Sequence, residues 1–429
     1  MSDWVTIQNQ VLALVFNVLS WASSLVFTPA PLLKKNEDSA VAVSIGGPGG
    51  LDRLQLEDLD ESNRICVGYN LRELGHPPPY VTVEPSKKDE VLHPSLIQVD
   101  IDYFSLNYAD VCIRWGLYES ANRFVGWPIV PGFDFSGKVA WMGAEAAKDS
   151  GFKLGDLVYG VTMFGAYSSR VLVPARQLRK VPTIKAEKTL MSQAKAASVL
   201  AVASTALHAV ALARGWPNEV ITMNKACLIH SAAGGVGSLL IQICKARGYS
   251  PIVAVVGRSD KVSHCTELGA DFVIDKSKEK NLWEKAEEIS AGKGFCAIFD
   301  ANGVETLKAS YEHLDACGSL VVYGFHSNLP KATDLNPLNW FKVISRMGAM
   351  PRFDPMELTL KNKSISGFNL SFLESEVDTI ALYFDQINKW LEDGTINVLE
   401  PTEFEITEIR EAHALIQSGT SKGKIVLKT

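Results

Sequence analysis

The stretch LIHSAAGGVGSLL, residues 228–240, decides the fold, because an apolar run passes through a glycine-rich turn into a helical pattern. Ala226–His230 predicts a buried strand. After the turn, apolar residues recur at the spacing of one helix face, namely Val236, Leu239, Leu240, Ile243 and Cys244. Against the G-x-G-x-x-G pattern the turn has Ala232 in place of the first glycine. The stretch therefore predicts the strand–turn–helix unit of a dinucleotide site.

The same turn predicts how a diphosphate would be bound. Gly234 would let the backbone approach the phosphates, Gly237 would let the helix pack closely on the strand, and the helix N-terminus would offer free N–H groups. The predicted cofactor-binding residues here are Ala233, Gly234, Gly235, Val236 and Gly237. A tight turn in a domain that has lost its ligand would have the same sequence, so that alternative stays open.

The residues after the next predicted strand, Ile252–Val256, indicate which dinucleotide is preferred. An acidic residue there accepts from a ribose 2′-hydroxyl, whereas an arginine favours a 2′-phosphate. Arg258 takes this position, with Ser259 and Lys261 beside it, and a guanidinium suits a phosphate dianion. We predict that these three bind NADPH in preference to NADH, and that Asp260 caps the following helix. The alternative is an ordinary solvated loop.

The rest of the chain predicts two kinds of domain. Short strands broken by Gly and Pro predict a β-rich, barrel-like unit over residues 39–190, in which 61–95 is a loop-rich excursion. Strands alternating with helices predict a doubly wound parallel sheet over 191–350, with a buried helix at Ala194–Arg214. Residues 351–429 would return to complete the first domain. The predicted class is α/β.

The composition excludes several classes of protein. Of 429 residues, 47% are apolar and 21% charged, which is too apolar for a disordered chain. A net charge of −6 argues against a general nucleic-acid binder. The seven cysteines include no C-x-x-C pair, so neither a zinc ribbon nor a disulfide scaffold is encoded, and the pattern suits the reducing cytoplasm.

The N-terminal segment, residues 1–38, is unlike the rest, because Trp4–Leu33 contains no charged residue. Weakly polar residues recur at spacings of three and four, and Trp4 and Trp21 lie on the opposite, apolar face. Such a helix can lie in a membrane interface, so we predict peripheral membrane contact through residues 4–33. Packing on the protein or on a partner subunit, a cleaved segment and a spanning segment are the alternatives.

Several motifs carry a resemblance to a known family. Leu106–Tyr118 is similar to L-N-F-x-D-x-x-x-R-x-G-x-Y, and Pro131–Gly137 to P-G-x-E-x-x-G with Asp134 for the usual Glu. With the order of the domains, these resemble the medium-chain dehydrogenase/reductase superfamily and its zinc-free quinone oxidoreductase branch. Ser364–Leu373 and Gly423–Leu427 resemble most closely the VAT-1-like (synaptic vesicle membrane protein) subgroup. The resemblance implies a GroES-like β-barrel catalytic domain, a Rossmann domain and a homodimer.

The resemblance also implies the remaining site residues. Asn107 would be catalytic, beside the nicotinamide and the substrate, because an amide can donate to a carbonyl oxygen that gains charge. Further cofactor contacts would come from Thr205, Tyr323, Gly324, Phe325, Phe368, Asn369 and Lys424. Cys112 stands where the family often has Tyr, so proton delivery stays open, with Tyr108, Tyr118 and Tyr167 as nearby alternatives.

The residues at the family's metal-binding positions imply chemistry without zinc. Asn107 and Gly132-Phe133-Asp134 stand where zinc alcohol dehydrogenases have a Cys ligand and Gly-His-Glu. Without a Lewis acid, reduction of an electrophilic acceptor is easier than oxidation of a simple alcohol. The resemblance therefore implies an NADPH-dependent reductase of quinones or α,β-unsaturated carbonyls. The alternative is a membrane-associated NADP(H)-binding adaptor or sensor with little catalysis.

Overall fold

The computed structural model describes residues 39–184, 188–213, 225–326, 345–346 and 348–429. The predicted membrane-contacting segment, residues 4–33, lies outside the described residues. The remainder forms two domains, one built on an antiparallel-rich sheet and the other on a parallel sheet with helices. The predicted α/β class, with a GroES-like barrel and a Rossmann sheet, is confirmed.

The first domain takes its strands from the first half of the chain and from the last residues. Its strands are β1 (Val41–Ile45), β2 (Leu54–Asp58), β3 (Arg64–Val67), β4 (Tyr80–Thr82), β5 (Leu96–Leu106), β6 (Asp134–Met142), β7 (Leu157–Val161), β8 (Arg170–Pro174), β9 (Leu178–Lys180), β10 (Thr183–Ile184) and β11 (Lys188–Thr189). Its helices are α1 (Lys88–Val91), α2 (Tyr108–Arg114), α3 (Glu119–Phe124) and α4 (Ala144–Asp149). The main sheet has the order β4-β3-β8-β5-β6-β7-β9.

The second domain is a six-stranded parallel sheet of order β14-β13-β12-β15-β16-β17. Its strands are β12 (Cys227–Ile229), β13 (Ile252–Val256), β14 (Phe272–Asp275), β15 (Phe295–Asp300), β16 (Leu314–Val322) and β17 (Ser364–Gly367). The described helices between the two domains and along this sheet are α5 (Gln193–Ala196), α6 (Leu200–Ala213), α7 (Gly235–Ala246), α8 (Val262–Glu267), α9 (Leu282–Ile289), α10 (Leu307–Glu312), α11 (Pro355–Lys361) and α12 (Val377–Glu392). The central strands β12 and β13 are apolar and buried along their whole length, as buried parallel strands require, whereas the edge strands β14 and β17 are partly exposed.

The chain returns to the first domain later than the sequence predicts. β17 pairs with β16, and α12 buries Phe384 and Ile387 in the same core as α6. The predicted boundary at 350 is therefore wrong, because the register of an edge strand depends on a neighbour that the local sequence does not identify. The return is made by β18 (Thr402–Glu405), α13 (Ile409–Ser418) and β19 (Ile425–Lys428), which pairs with β5.

The predicted excursion, residues 61–95, is more ordered than a loop. It contains β3 and β4, and β3 pairs in parallel with β8 through Cys66 and Val171. Ile65, Val67 and Leu71 are fully buried in a small core of their own. The prolines and charges of this stretch predicted a loop, but non-local pairing and burial outweigh that local preference.

The predicted buried helix at Ala194–Arg214 is interrupted, because α5 ends at Ala196 and α6 begins at Leu200. Within the described residues, the run Gln193–Ala213 is long and apolar enough to cross a membrane. However, 72% of its most apolar window is buried inside the protein. Burial against α7 and α12 accounts for its apolar character, so it is a core helix.

Candidate functional site

A cleft of about 2050 Å³ runs between the two domains, along the edge of the parallel sheet where the strands end. In a doubly wound sheet this edge is where ligands bind. Of the sequence-predicted site residues, the cleft is lined by Asn107, Thr205, Ala233, Gly234, Gly235, Val236, Gly237, Arg258, Lys261, Tyr323, Gly324, Phe325, Phe368, Asn369 and Lys424. Ser259 is the predicted residue that does not line it.

The glycine turn sits at the middle of the cleft. β12 ends at Ile229, and α7 begins at Gly235 with its N-terminal N–H groups at the turn. A side chain at Gly237 would lie 2.6 Å from the Cα of Ala232, so only glycine lets the helix approach the strand this closely. The backbone N–H of Gly423 donates to the carbonyl of Ala233 at 3.0 Å. The turn is therefore fixed by both domains.

One end of the cleft is basic. Arg258 and Lys261 line it, together with Lys276, which the sequence analysis missed. The backbone N–H of Lys276 donates to the carbonyl of Val256 at 2.9 Å, so Lys276 follows β14 directly beside the end of β13. Neighbouring parallel strands end at one edge, and that rule could have identified Lys276. Lys261 donates from Nζ to the carbonyl of Gly419 at 3.0 Å.

Asp260 does not cap the following helix, contrary to the prediction. It lies inside the short 3-10 turn Ser259–Lys261, the N-cap of the following helix is Lys261, and no side chain caps that helix. Instead it accepts from Arg258, with Nε–Oδ1 at 2.9 Å and Nη2–Oδ2 at 3.1 Å. Lys422 Nζ lies 3.3 Å from the same carboxylate. Asp260 thus holds the guanidinium at the cleft.

The prediction that Ser259 contacts the cofactor is not supported by its position. Its hydroxyl donates to Oδ2 of Asp275, the last residue of β14. Asp275 also accepts from the hydroxyl of Ser277 at 2.7 Å. The Ser259 side chain is therefore engaged behind the cleft, because the neighbouring strand ends in an acceptor that the sequence of β13 alone does not reveal.

The other end of the cleft is a polar cluster around Asn107, in which the charged side chains are largely buried. Its Nδ2 donates to Asp134 Oδ1 at 2.9 Å, and its Oδ1 accepts from Lys424 Nζ at 2.7 Å. Lys424 also donates to the carbonyl of Leu106 at 3.0 Å. The second amide hydrogen of Asn107 has only a long contact, 3.5 Å from Nδ2 to Ser105 Oγ. The amide that we expect to meet the substrate is thus held by the Asp134 carboxyl group, which accepts from it, and by the Lys424 amino group, which donates to it.

Burial sets the acidity of this cluster. The side chains of Lys424 and Asp134 are 10% and 1% exposed, and their charged atoms lie 3.9 Å apart. Burial lowers the pKa of Lys424, while the carboxylates of Asp134 and Asp110 oppose the shift. Burial raises the pKa of Asp110 to about 7, although the backbone N–H groups of Asn107 and Gly132 donate to it and oppose the rise.

The remaining predicted residues lie between the two ends. The hydroxyl of Thr205 donates to the carbonyl of Ala201 at 2.8 Å, so it is already engaged within α6. Phe368 contacts the ring of His208, with centroids 4.6 Å apart. Asn369 Oδ1 accepts from the hydroxyl of Tyr118 at 3.1 Å.

His326 lines the cleft although it was not predicted to contact a ligand, and Tyr108, an alternative for proton delivery, lines the cleft as well. His326 follows the Tyr323–Phe325 loop, and its Nδ1 lies 2.8 Å from the carbonyl of Ala301. The Tyr108 hydroxyl lies 3.4 Å from the carbonyl of His326 and links the two domains. Among the alternatives for proton delivery, Tyr108 and Tyr118 line the cleft and Tyr167 does not, and Cys112, which stands where the family often has Tyr, also lines it. Burial raises the pKa of Cys112 to about 12, so it is a poor acid.

Comparison with known proteins gives two family matches. Residues 93–183 match the alcohol dehydrogenase GroES-like domain, and residues 235–384 match the zinc-binding dehydrogenase family. A probable quinone oxidoreductase of Schizosaccharomyces pombe is 28% identical over 325 residues, covering 76% of this chain and 86% of that protein. The synaptic vesicle membrane protein VAT-1 homolog of Danio rerio is 25% identical over 351 residues, covering 81% and 67%.

A solved structure shares the whole fold. The quinone oxidoreductase of Escherichia coli complexed with NADPH superposes with a TM-score of 0.68 at 22% identity, covering 91% of this chain and 100% of that chain. An identity this low supports the fold alone. The two domains and the cleft between them are therefore a shared architecture.

Proposed function

The chain belongs to the medium-chain dehydrogenase/reductase superfamily, in its quinone oxidoreductase and VAT-1-like branch, and we propose that it is an NADPH-dependent reductase of quinones or α,β-unsaturated carbonyls. The observation that carries the proposal is one cleft with a basic end, a glycine turn and a buried polar end. The reaction adds one hydride and one proton to the acceptor, which leaves as a hydroquinone or a saturated carbonyl compound.

The described residues fit the proposed cofactor along the whole cleft. Residues 233–237 would hold the diphosphate, because the missing side chain at Gly237 leaves the turn tight and its N–H groups open. Arg258, Lys261 and Lys276 would hold the 2′-phosphate, since three cations lie where the ribose of a Rossmann ligand ends. A quinone oxidoreductase with the same fold was solved with NADPH, which favours NADPH as the cofactor. When bound, NADPH supplies the hydride.

The chain's own contribution to the chemistry is electrostatic. Lys424 holds a proton at Nζ, and its lowered pKa makes that proton easier to give to an oxygen that has become anionic. Asn107 orients the ammonium through its Oδ1 and keeps a second amide hydrogen close to the cleft. Preorganised donors in a buried site stabilise charge far more than the same donors in water.

We further propose that the reaction needs no zinc. The side chains at the buried end are amide, ammonium, carboxylate and aromatic, whereas catalytic zinc takes three ligands from His, Cys and carboxylate groups. In the part of the chain that the structure describes, no three such residues are grouped closely enough for a metal. Activity that survives dialysis against a chelator, with no metal found in the dialysed protein, is the expected result.

The experiment that tests the reductase is oxidation of NADPH, followed at 340 nm, with 9,10-phenanthrenequinone and 1,4-naphthoquinone as acceptors. We expect turnover with both, and calorimetry should show NADPH binding to the full chain. Tight NADPH binding without turnover of any acceptor would overturn the reductase. If the protein bound no phosphorylated dinucleotide, both the reductase and the NADP(H)-binding sensor would be overturned.

A second candidate is a membrane-associated NADP(H)-binding adaptor or sensor. The specific observation that favours it is Cys112, whose raised pKa leaves a poor acid where the family often has Tyr. The likeness to a synaptic vesicle membrane protein points the same way. Residues 4–33 would provide the membrane contact, so deletion of residues 1–33 should release the protein from liposomes. Unchanged sedimentation with liposomes would contradict that contact.

We also propose that the chain is a cytoplasmic homodimer. β17 pairs only with β16 among the described residues and therefore lies at an edge of the parallel sheet. An exposed strand edge can pair with a second copy of itself. Analytical ultracentrifugation of the full chain measures the oligomeric state directly, and a monomer at micromolar concentration would contradict the dimer.

A further inference from the structure

Three polar side chains meet at the edge of the parallel sheet, on the side of β12 opposite the basic end. They are Ser231, Asn302 and His326, which follow β12, β15 and β16, and all three line the cleft. The hydroxyl of Ser231 donates to Oδ1 of Asn302 at 2.8 Å, and the same oxygen lies 3.5 Å from Nε2 of His326. This group, which we call the imidazole cluster, places a titratable ring beside the glycine turn.

The backbone fixes the position of the imidazole cluster. Asp300, fully buried at the end of β15, accepts from the backbone N–H of Asn302 at 2.8 Å. Ser231 has a φ of 52°, a left-handed conformation that a serine keeps only where its surroundings hold it. The backbone N–H of His326 donates to the carbonyl of Ala301 at 3.1 Å. The three side chains therefore start from fixed points around one small region of the cleft.

The hydrogen-bond partners of the His326 ring favour its protonated form. Nδ1 lies 2.8 Å from the carbonyl of Ala301, which can only accept, so Nδ1 carries a hydrogen. Nε2 faces the oxygen of Ser231, whose own hydrogen is given to Asn302, so a hydrogen on Nε2 would complete the chain of donors. A ring that donates from both nitrogens is an imidazolium. Histidine is the side chain that ordinarily changes its charge between pH 5 and pH 8.

Other titratable groups face the ring from two sides. From the first domain, the ring of Tyr108 lies 5.8 Å from the ring of His326 between centroids, and burial raises the pKa of Tyr108. From the same sheet, burial lowers the pKa of His230 to about 4, and a charge on His326 adds to that shift. Tyr108 and His230 are therefore neutral between pH 5.5 and pH 8.5. The charged side chains that the structure describes at this part of the sheet edge are Asp300, Glu305 and Arg346, of which the last two pair at 3.0 Å.

The order of the strands indicates which half of a dinucleotide would meet the imidazole cluster. A dinucleotide held at the glycine turn places its two nucleosides on opposite sides of the central strand. The basic end, at β13 and β14, takes the phosphorylated ribose in the proposed function. Because the sheet order is β14-β13-β12-β15-β16, the nicotinamide half would lie over the ends of β15 and β16, where Asn302 and His326 lie. The nicotinamide ring is cationic in NADP⁺ and neutral in NADPH, so a nearby imidazolium repels only the oxidised form.

We propose that His326 makes the cleft discriminate between the two redox states of its cofactor, because its imidazolium disfavours the cationic ring of NADP⁺ and thereby favours NADPH. This inference rests on the proposed reductase function and adds a specificity-determining residue to it. Such discrimination favours loading of the hydride donor and, after the hydride has passed to the acceptor, release of NADP⁺. Because coupling is reciprocal, His326 should hold its proton more tightly in the NADPH complex than in the NADP⁺ complex.

The test measures, by calorimetry from pH 5.5 to pH 8.5, the ratio of the dissociation constant of NADP⁺ to that of NADPH. Both nucleotides carry the same phosphates, so titration of the phosphates should cancel in the ratio. We expect the wild-type ratio to fall about tenfold as the pH rises and the imidazolium loses its charge. His326→Asn can still donate to the carbonyl of Ala301 but carries no charge, so its ratio should be low and nearly independent of pH. His326→Lys keeps a cation throughout this range, so its ratio should stay high.

A second histidine provides the matched control. His313 lies in the same domain but does not line the cleft, and its ring pairs with Glu287 at 3.2 Å, so His313→Asn should leave the ratio and its pH dependence unchanged. Burial raises the pKa of Asp110 to about 7, in the same pH range, so the difference between the wild type and His326→Asn carries the test.

The outcomes separate this inference from the reductase proposal. If the wild type bound both nucleotides with a ratio that did not change with pH, or if His326→Asn kept the wild-type pH dependence, discrimination by His326 would be overturned and the reductase would stand. If the wild type bound neither nucleotide at any pH, the proposed function would be overturned together with this inference.

Discussion

The two ends of the cleft differ in how far their charged side chains are exposed to solvent. At the basic end, Arg258 and its partner Asp260 are both more than two-fifths exposed, so their charges act through water and each contributes modestly. At the polar end, Lys424 and Asp134 are almost completely buried, and every donor and acceptor depends on its neighbours. Under the proposed function, charge would select the nucleotide at one end, whereas fixed geometry would serve the chemistry at the other. Substitutions at the basic end should therefore lower nucleotide affinity moderately, whereas substitutions at the buried polar end should lower activity severely.

The largest effect is expected at the turn that both ends share. Gly237→Ala would place a methyl group 2.6 Å from backbone atoms of Ala232 and Ser231, which cannot move as a side chain can. We expect a loss of about 3 kcal/mol in the free energy of unfolding and no measurable NADPH binding by calorimetry. Gly46→Ala, where a methyl group would meet nothing within 4 Å, is the control. Normal NADPH affinity in Gly237→Ala would show that the turn does not hold the diphosphate.

The next effect isolates the buried end. Lys424→Met keeps the aliphatic stem but removes the ammonium bonded to Asn107, so we expect kcat to fall about 100-fold. In the wild type, kcat/KM should fall as the pH rises through the lowered pKa of Lys424, because the ammonium is the form that gives the proton. This alkaline decline should disappear in the variant. An unchanged pH profile would assign the proton to another group.

The pH dependence of the free energy of unfolding tests Asp110, which lies at the same buried end. Its pKa is about 7 in the folded protein and lower when unfolded, so the folded state keeps a proton that the unfolded state loses. Stability from this group is therefore present at low pH and is lost as the pH rises towards 7, by about 2 kcal/mol between pH 5 and pH 7. Urea unfolding at these two pH values should show the difference in the wild type and a flatter dependence in Asp110→Asn. If the wild type and Asp110→Asn lost the same stability between pH 5 and pH 7, the titrating group would not be Asp110.

The smallest effect is expected at the basic end. Arg258→Ala leaves Lys261 and Lys276 in place, so NADPH affinity should fall only about tenfold, and NADH affinity should hardly change. The loss should shrink as salt is added, because the charges are exposed. Calorimetry with both nucleotides measures this. Equal affinity of the wild type for NADPH and NADH would contradict the assignment of this end.

The same contrast explains what could be predicted from the sequence. The glycine turn and Arg258 are local signals, since a strand, a turn and a helix follow each other within one short stretch. The pairing of Asp260 with Arg258 was missed because it depends on the 3-10 turn that carries them. The contact between Asn107 and Lys424 joins residues 317 apart, so no local pattern contains it.

In the fold, too, features that depend on contacts between distant residues were not predicted from the local sequence. β3 is only four residues long and is stabilised by pairing with β8, which the local sequence does not reveal. The prolines at 77–79 and the charged residues of the same stretch therefore predicted a loop. Lys276 was missed because its role depends on which strand lies beside β13. The resemblance to a known family supplied Asn107 and Lys424 individually, whereas their hydrogen bond and the acid that completes it came from the structure.

The pairing of the last strand with β5 has a consequence for biosynthesis. β19 covers one edge of β5 along Tyr103–Leu106, and the backbone N–H of Gly423 donates to the glycine turn. A ribosome makes β5 before the second domain and β19 after it, so this edge of β5 has no β19 partner while the second domain is synthesised. Removal of Gly423 and β19 would open that edge of β5 and also break the contact with the glycine turn, so it would affect both domains at once.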